Sequence, residues 1–94
     1  MTSLAFFFSE NDALIEADLS ELKADKIISL KGLFIRCKNL KKVKFEFTDA
    51  NKIVDLSSLF NGCFSLNSAI FNFNAEKVID MSEMFKSCYS LNSL

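Results

Sequence analysis

Residues 53–68 read IVDLSSLFNGCFSLNS, and residues 78–93 read VIDMSEMFKSCYSLNS. The two stretches are identical at eight of sixteen aligned positions, and most other positions exchange residues of similar size. The cysteines follow the same spacing, because Cys37, Cys63 and Cys88 lie 26 and then 25 residues apart. A fixed period of roughly 20–50 residues is typical of repeat proteins, whose units bury their apolar sides by stacking. The sequence therefore predicts a stack of similar units.

The period extends toward the N-terminus of the chain. Columns of equivalent apolar positions are Leu14, Leu40, Leu66 and Leu91, and Ile27, Ile53 and Val78. We therefore predict that residues 1–94 form a single repeat array. Its parts are a partial unit at 1–13, units at 14–39, 40–65 and 66–90, and the start of a further unit at 91–94.

The first half of each unit has the periodicity of a β-strand. Val43, Phe45 and Phe47 alternate with polar residues, which predicts a strand with one buried face. The equivalent segments are 14–19 and 66–73, and stacked units would place these strands side by side in a parallel sheet. In that register opposite charges meet on neighbouring strands, as in the pair Glu16 and Lys42.

The second half of each unit has the spacing of a short helix. Leu56, Leu59, Phe60 and Cys63 are separated by three, one and three residues, which is typical of one helical face. Asp55 precedes this stripe in the position of a helix N-cap, and Ser29 and Asp80 occupy the equivalent positions. The predicted fold class is therefore an α/β repeat solenoid of leucine-rich-repeat type, with one short parallel strand and one short helix per unit of about 26 residues.

The pattern of residues 78–91 is more specific than this general architecture. Val-x-Asp-Met-Ser-x-Met-Phe-x-x-Cys-x-Ser-Leu closely resembles the 26-residue repeat of bacterial surface proteins, which also occurs in mycoplasma lipoproteins and belongs with the BspA-like leucine-rich repeats. Residues 53–66 match it with Leu in place of both Met. The resemblance implies a non-catalytic module of a large surface or secreted protein, linked with adhesion and with host or matrix binding.

The N-terminus and the apolar runs of the sequence bear on its location. The N-terminal apolar stretch ends at Ser9 without a preceding basic segment, which is too short for a signal-peptide core. No run approaches the length of a membrane span, so direct membrane insertion is not expected. A cell-surface or secreted location is implied only by the family resemblance.

Composition disfavours several classes of function. The chain has no histidine and a net charge of −1, so we expect neither acid–base catalysis nor nucleic-acid binding. The three cysteines follow the repeat period and form no Cys-x-x-Cys pair, which favours reduced, buried thiols over a column of thiols that binds a soft metal. No enzyme activity, metal or cofactor is predicted.

If the chain binds a partner, the exposed face of the sheet is the expected surface, because repeat proteins present an extended surface there. Strand alternation places nine side chains on this face: Glu16, Asp18, Ser20, Lys42, Lys44, Glu46, Ser68, Ile70 and Asn72. We call these nine residues the sheet face. Ile70 is the only large apolar residue among them.

Two hypotheses of function remain. In the first, the chain is a protein–protein interaction module whose sheet face binds an unidentified protein. In the second, it is a structural spacer or a fragment of a longer array without a ligand of its own. Uncapped array ends expose core residues, so we expect the isolated chain to self-associate through its ends, to be marginally stable, or to be part of a longer protein.

Overall fold

A computed structural model of the chain describes residues 2–47, 51–73 and 75–91. It contains five short strands: β1 (Thr2–Ser3), β2 (Glu16–Asp18), β3 (Ile27–Ser29), β4 (Lys42–Glu46) and β5 (Ser68–Asn72). Strands β2, β4 and β5 form one parallel sheet, and β1 pairs with β3 in a second. Most of the predicted further unit at 91–94 lies outside the described residues, which end at Leu91.

The parallel sheet and its register agree with the sequence prediction. Glu16 pairs with Lys42, and Lys42 pairs with Ser68, so strands from successive units lie side by side. Val43, Phe45 and Phe47 are each at most 3% exposed, as the alternation predicted. The sheet buries one face because each of these strands turns every second side chain toward the same core.

The predicted helices are wrong. The described residues contain no helix, so the chain is not an α/β solenoid with one helix per unit. Residues 56–63 instead form consecutive turns: the N–H groups of Leu59, Asn61 and Cys63 each donate to the carbonyl oxygen three residues earlier. We call this conformation a turn ribbon, and it recurs at 4–11, 30–37 and 81–88.

Hydrogen bonds between units explain why a turn ribbon replaces a helix. In the ribbon at 56–63, the intervening N–H groups of Ser58, Phe60 and Gly62 donate to carbonyl oxygens of residues 82, 84 and 86 in the next unit, at 2.9 Å each. An α-helix would keep all of these N–H groups within its own segment. The ribbon divides its N–H groups between its own turns and the neighbouring unit, and so leaves few of them unpaired.

Backbone dihedral angles also exclude a helix in these segments. Two positions in each turn ribbon have positive φ, for example Ser58 at 56° and Gly62 at 80°. Their equivalents are Phe6, Gly32 and Glu83, and Glu10, Arg36 and Ser87. An α-helix requires φ near −63° at every residue, so two left-handed residues interrupt it twice.

The predicted helix caps have a different structural role. Asp55 Oδ1 accepts hydrogen bonds from the N–H and the hydroxyl of Ser57, at 2.9 and 2.7 Å. Asp80 accepts the same pair of bonds from Ser82. The backbones of Ser29, Asp55 and Asp80 pair in parallel, so these residues join successive units beside β3.

The core lies between the three-stranded sheet and the turn ribbons. A ladder of phenylalanine rings runs through it: Phe8, Phe34, Phe60 and Phe85 stack with centroid separations of 5.6, 5.9 and 5.7 Å. Phe45 of strand β4 packs against both Phe34 and Phe60. The sheet face is therefore the outer side of a sheet whose inner side is fixed by aromatic packing.

Candidate functional site

The nine residues of the sheet face lie in three rows across the strands. The first row is Glu16, Lys42 and Ser68, and the second is Asp18, Lys44 and Ile70. Glu46 and Asn72 pair in the third row, and Ser20 follows β2 two residues after Asp18. Since the strands are parallel and in register, each row continues across neighbouring units.

Exposure differs along these rows. Glu16, Asp18, Lys42, Ile70 and Asn72 are exposed, as strand alternation predicted. The remaining four residues are partly buried, namely Ser20, Lys44, Glu46 and Ser68. The structure thus brings all nine residues to one side of the molecule and leaves five of them exposed.

Charges on the sheet face neutralise one another. Lys44 Nζ lies 2.9 Å from Glu46 Oε1, and this hydrogen-bonded pair raises the pKa of Lys44. Hydrogen bonds from the Ser20 hydroxyl and N–H lower the pKa of Asp18, with a smaller contribution from Lys44. The face therefore carries mixed charges in fixed positions rather than a field of one sign, which suits recognition of a particular surface more than capture of a polyanion.

Six sheet-face residues line an open depression of about 410 Å³. They are Glu16, Asp18, Lys42, Lys44, Ser68 and Ile70, together with the strand residues Ala17 and Val43. Ile70 is 49% exposed, so an apolar side chain lies among charged groups at this depression. Ile70 lies on β5, the outer strand of this sheet, next to Lys44, so the depression combines an exposed apolar side chain with charged ones. Protein-binding surfaces combine apolar and polar side chains in this way.

Sequence reasoning missed a second surface, which is formed by the turn ribbons. A depression of about 730 Å³ is lined there by Glu10, Asp12, Arg36, Lys38, Asn61, Gly62, Phe64, Glu83, Lys86 and Ser87. Beside it the exposed rings of Phe64 and Tyr89 stack at 5.6 Å. The signal in the sequence was the column Asp12, Lys38, Phe64 and Tyr89, whose members recur at the repeat period.

The ion pairs of this second surface are weak. Arg36 lies 3.9 Å from Glu10, and Lys38 lies 3.7 Å from Asp12, with all four side chains more than half exposed. Exposed pairs of this kind contribute about 0–1 kcal/mol. The turn-ribbon surface therefore supplies charged and aromatic side chains whose substitution should leave the fold intact.

The cysteines lie inside the stack. All three are free thiols; Cys37 and Cys63 are buried, as predicted, and Cys88 is partly buried. Each Sγ donates to the carbonyl oxygen of a phenylalanine in the preceding unit, at 3.0–3.1 Å. Burial raises the pKa of all three thiols, that of Cys63 to about 12.

Within residues 2–47, 51–73 and 75–91, no group of three or more His, Cys, Asp or Glu side chains is placed to hold a metal ion. In the same ranges the structure has no helix whose length and hydropathy would let it cross a bilayer.

Fold and site together define a class of protein. This is a repeat protein whose units stack through a parallel sheet on one side and turn ribbons on another, with an exposed sheet face. The family model described as "Mycoplasma protein of unknown function, DUF285" matches residues 2–94, and the chain belongs to this family. No curated protein and no solved structure matches the chain.

Proposed function

We propose that this chain is a non-catalytic protein–protein interaction module of a cell-surface or adhesion-type protein, related to the BspA-like repeats. The observation that supports this best is the depression on the sheet face, where exposed Ile70 lies next to Lys44 and which Asp18 and Lys42 also line. Partner surfaces bury such apolar groups and pair the surrounding charges. The resemblance of residues 78–91 to the repeat of bacterial surface proteins supports the link with surface proteins.

A pair of matched triple variants tests this proposal. The sheet-face variant combines Lys42→Ala, Lys44→Ala and Ile70→Ala. The control combines Arg36→Ala, Lys38→Ala and Phe64→Ala on the turn-ribbon surface, and so also removes two cations and one exposed apolar side chain. Circular dichroism and thermal melts establish that both variants keep the fold.

Binding is measured by surface plasmon resonance against immobilised extracellular-matrix proteins: fibronectin, laminin and collagen. We expect wild type and control to bind at least one of them, and the sheet-face variant to bind it at least about tenfold more weakly, a difference of about 1.4 kcal/mol. Equal affinities of the two variants would contradict a binding sheet face. Binding of none of the three proteins by wild type would favour the second function, a structural spacer without a ligand.

A further inference from the structure

One column of the repeat carries the same charge in all three units. Lys26, Lys52 and Lys77 occupy equivalent positions 26 and then 25 residues apart, and all three are exposed. Lys26 and Lys77 lie in equivalent turns, because the N–H groups of Ile27 and Val78 each donate to the carbonyl oxygen three residues earlier. We call these three residues the lysine column.

Other charged columns of the stack place opposite charges in neighbouring units. The pairs are Glu10 with Arg36, Asp12 with Lys38, Glu16 with Lys42, and Asp18 with Lys44. Like charges side by side on neighbouring strands destabilise a sheet. Asp55 and Asp80 also repeat one charge, but hydrogen bonds from Ser57 and Ser82 hold these carboxylates. The ion pairs among the described residues include no member of the lysine column, so the described part of the fold does not account for its repeated charge.

An aliphatic column runs beside the lysine column, two residues further along the chain, and consists of Ile28, Val54 and Ile79. The Val54 N–H donates to the Ile28 carbonyl oxygen, and the Ile79 N–H donates to that of Val54, at 2.9 Å each. The units therefore lie side by side here as parallel strands do. The intervening Ile27 and Ile53 are at most 3% exposed, whereas Ile28 and Val54 are only partly buried, so alternation directs both columns outward.

The spacing of the units matches that of an α-helix. Neighbouring strands lie about 4.8 Å apart, so the lysine column presents a cation about every 4.8 Å along the stack. A helix lying along the stack repeats one side about every 5.4 Å and therefore departs from the column by only about 1.2 Å over three units. An extended peptide repeats one side about every 6.8 Å and departs by about 4 Å.

Acidic side chains limit this band of the surface on both sides. Asp25 and Glu76 directly precede two of the lysines, and Asp55 and Asp80 directly follow the aliphatic column. A flat anionic bilayer would meet these carboxylates together with the lysines, whereas a single narrow segment meets the two columns alone. Nucleic acids and sulfated polysaccharides are narrow polyanions, but they have no apolar stripe to cover the aliphatic column. The arrangement therefore favours a narrow partner that is acidic on one side and apolar beside it.

We propose that the lysine and aliphatic columns bind an amphipathic α-helix of a partner protein, which lies along the stack. Carboxylates one helical turn apart face the lysine column, and an adjoining apolar stripe covers the aliphatic column. The middle unit contributes Lys52 and Val54, so the contact involves the interior of the stack. This surface contains none of the sheet-face residues, and the proposal does not depend on the proposed function of that face.

A synthetic alanine-based helical peptide is the probe. It carries glutamates three and four residues apart beside a leucine stripe of the same spacing, and a fluorophore reports binding by anisotropy. A comparison peptide has the same composition, with glutamate and leucine alternating as in a strand. The test variant is Lys52→Glu, and the control is Lys41→Glu, which makes the same charge change at an exposed lysine outside both columns. Circular dichroism establishes that both variants keep the fold.

We expect wild type, Lys41→Glu and the sheet-face variant to bind the helical peptide equally. Lys52→Glu should bind it at least about tenfold more weakly, and wild type should bind the alternating peptide at least about tenfold more weakly. Absence of binding by wild type, equal binding of both peptides, or equal weakening in Lys52→Glu and Lys41→Glu would overturn the proposal. Binding of heparin or of phosphatidylglycerol vesicles that depends on Lys52, without binding of the helical peptide, would overturn it in favour of a polysaccharide or a bilayer.

Amide chemical shifts of the wild-type chain give a second test without any substitution. Addition of the helical peptide should shift the amides of residues 26–28 and 52–54 and leave those of residues 68–72 unchanged. Shifts confined to residues 68–72 would rule out this surface even if Lys52→Glu failed to fold.

Discussion

The cysteine column shows how one side chain serves the stack at the scale of a single residue. Each thiol is small enough for a position between two ribbons, and each S–H reaches a phenylalanine carbonyl of the preceding unit at 3.0–3.1 Å. Cysteine is a small apolar residue with a weak donor, which fits this place. The repeat spacing predicted burial, whereas the hydrogen bond depends on a ribbon geometry that the spacing does not reveal.

Cys63 should therefore be inert to thiol reagents and sensitive to high pH. Burial raises its pKa from the usual 9.0 to about 12, so the folded state disfavours the thiolate. Its contribution to stability is complete below pH 9 and is lost as the pH rises from 9 toward 12. We expect Cys63 to react slowest with Ellman's reagent at pH 8, and the urea midpoint to fall between pH 9 and 12.

The control for this prediction is Cys63→Ala, which lacks this thiol and keeps every other ionisable side chain. Its urea midpoint should fall less steeply over the same pH range. Identical pH dependence of variant and wild type, or a fast reaction of Cys63, would contradict a buried thiol.

The two Asp-x-Ser pairs have hydrogen bonds of the same length but differ in the burial of the serine. A comparison of the two therefore measures what this burial contributes to stability. Asp55 and Asp80 each accept bonds of 2.9 and 2.7 Å from a serine two residues later, but Ser57 is 4% exposed and Ser82 is exposed. Removal of the acceptor leaves a buried hydroxyl without a partner only at Ser57. We expect Asp55→Ala to lower the free energy of unfolding by about 1–3 kcal/mol and Asp80→Ala by less than about 1 kcal/mol.

Urea denaturation of both variants measures this difference. Equal losses of unfolding free energy in the two variants would mean that the burial of Ser57 does not determine the size of the loss.

At the scale of the element, the turn ribbon explains why the helix prediction failed. Apolar residues separated by three, one and three positions face one side in a helix, and the same spacing faces the core in a ribbon of turns. Glycine marks the left-handed positions only at residues 32 and 62, while Ser58 and Glu83 adopt φ of 56° without such a signal. The sequence therefore does not indicate most of the ribbon residues that have a positive φ.

A second element was recognisable but was interpreted as a helix start. The pairs Ile27-Ile28, Ile53-Val54 and Val78-Ile79 are β-branched or similar residues that directly precede Ser29, Asp55 and Asp80. Such pairs favour strands over helices. The first pair lies in β3, and the other two directly precede the parallel bridges at residues 55 and 80.

Replacement of Ser87 by glycine tests the positive φ of this residue. Ser87 has a φ of 62°, which costs a residue with a Cβ atom about 1–2 kcal/mol, and its equivalent one unit earlier is Gly62. Glycine also increases the freedom of the unfolded chain by roughly 0.4–1 kcal/mol, so we expect a net gain of about 0.5–1 kcal/mol in the free energy of unfolding.

The control is Ser65→Gly, which is also partly buried but has no positive φ. Its free energy of unfolding should fall by roughly 0.4–1 kcal/mol in the same urea titration. Changes of the same sign in both variants would contradict the assigned backbone at Ser87.

In the whole molecule, the sequence predicted the features that repeat every two residues along a strand or every 26 residues between units. The pairing of Glu16 with Lys42 and the burial of Phe45 follow from these periods and agree with the structure. The sheet face was predictable for the same reason. The column that contains Phe64 and Tyr89 also recurs at the repeat period, but its place on an exposed turn-ribbon surface was not predictable, because that place depends on hydrogen bonds between units.

The hydrogen bonds between ribbons relate the fold to the proposed function. They hold successive units together, and with them the register of the strands that form the sheet face. A helix in place of each ribbon would satisfy its own backbone and would remove these bonds between units.

Scalar couplings across hydrogen bonds test directly whether the ribbon N–H groups donate to the neighbouring unit. In a uniformly ¹³C,¹⁵N-labelled sample, they identify which carbonyl accepts from each N–H. We expect couplings from the Phe34 N–H to the Leu59 carbonyl and from the Phe60 N–H to the Met84 carbonyl, across bonds of 3.0 and 2.9 Å. A coupling from the Phe60 N–H to the Leu56 carbonyl would instead demonstrate a helix and would contradict hydrogen bonding between the ribbons.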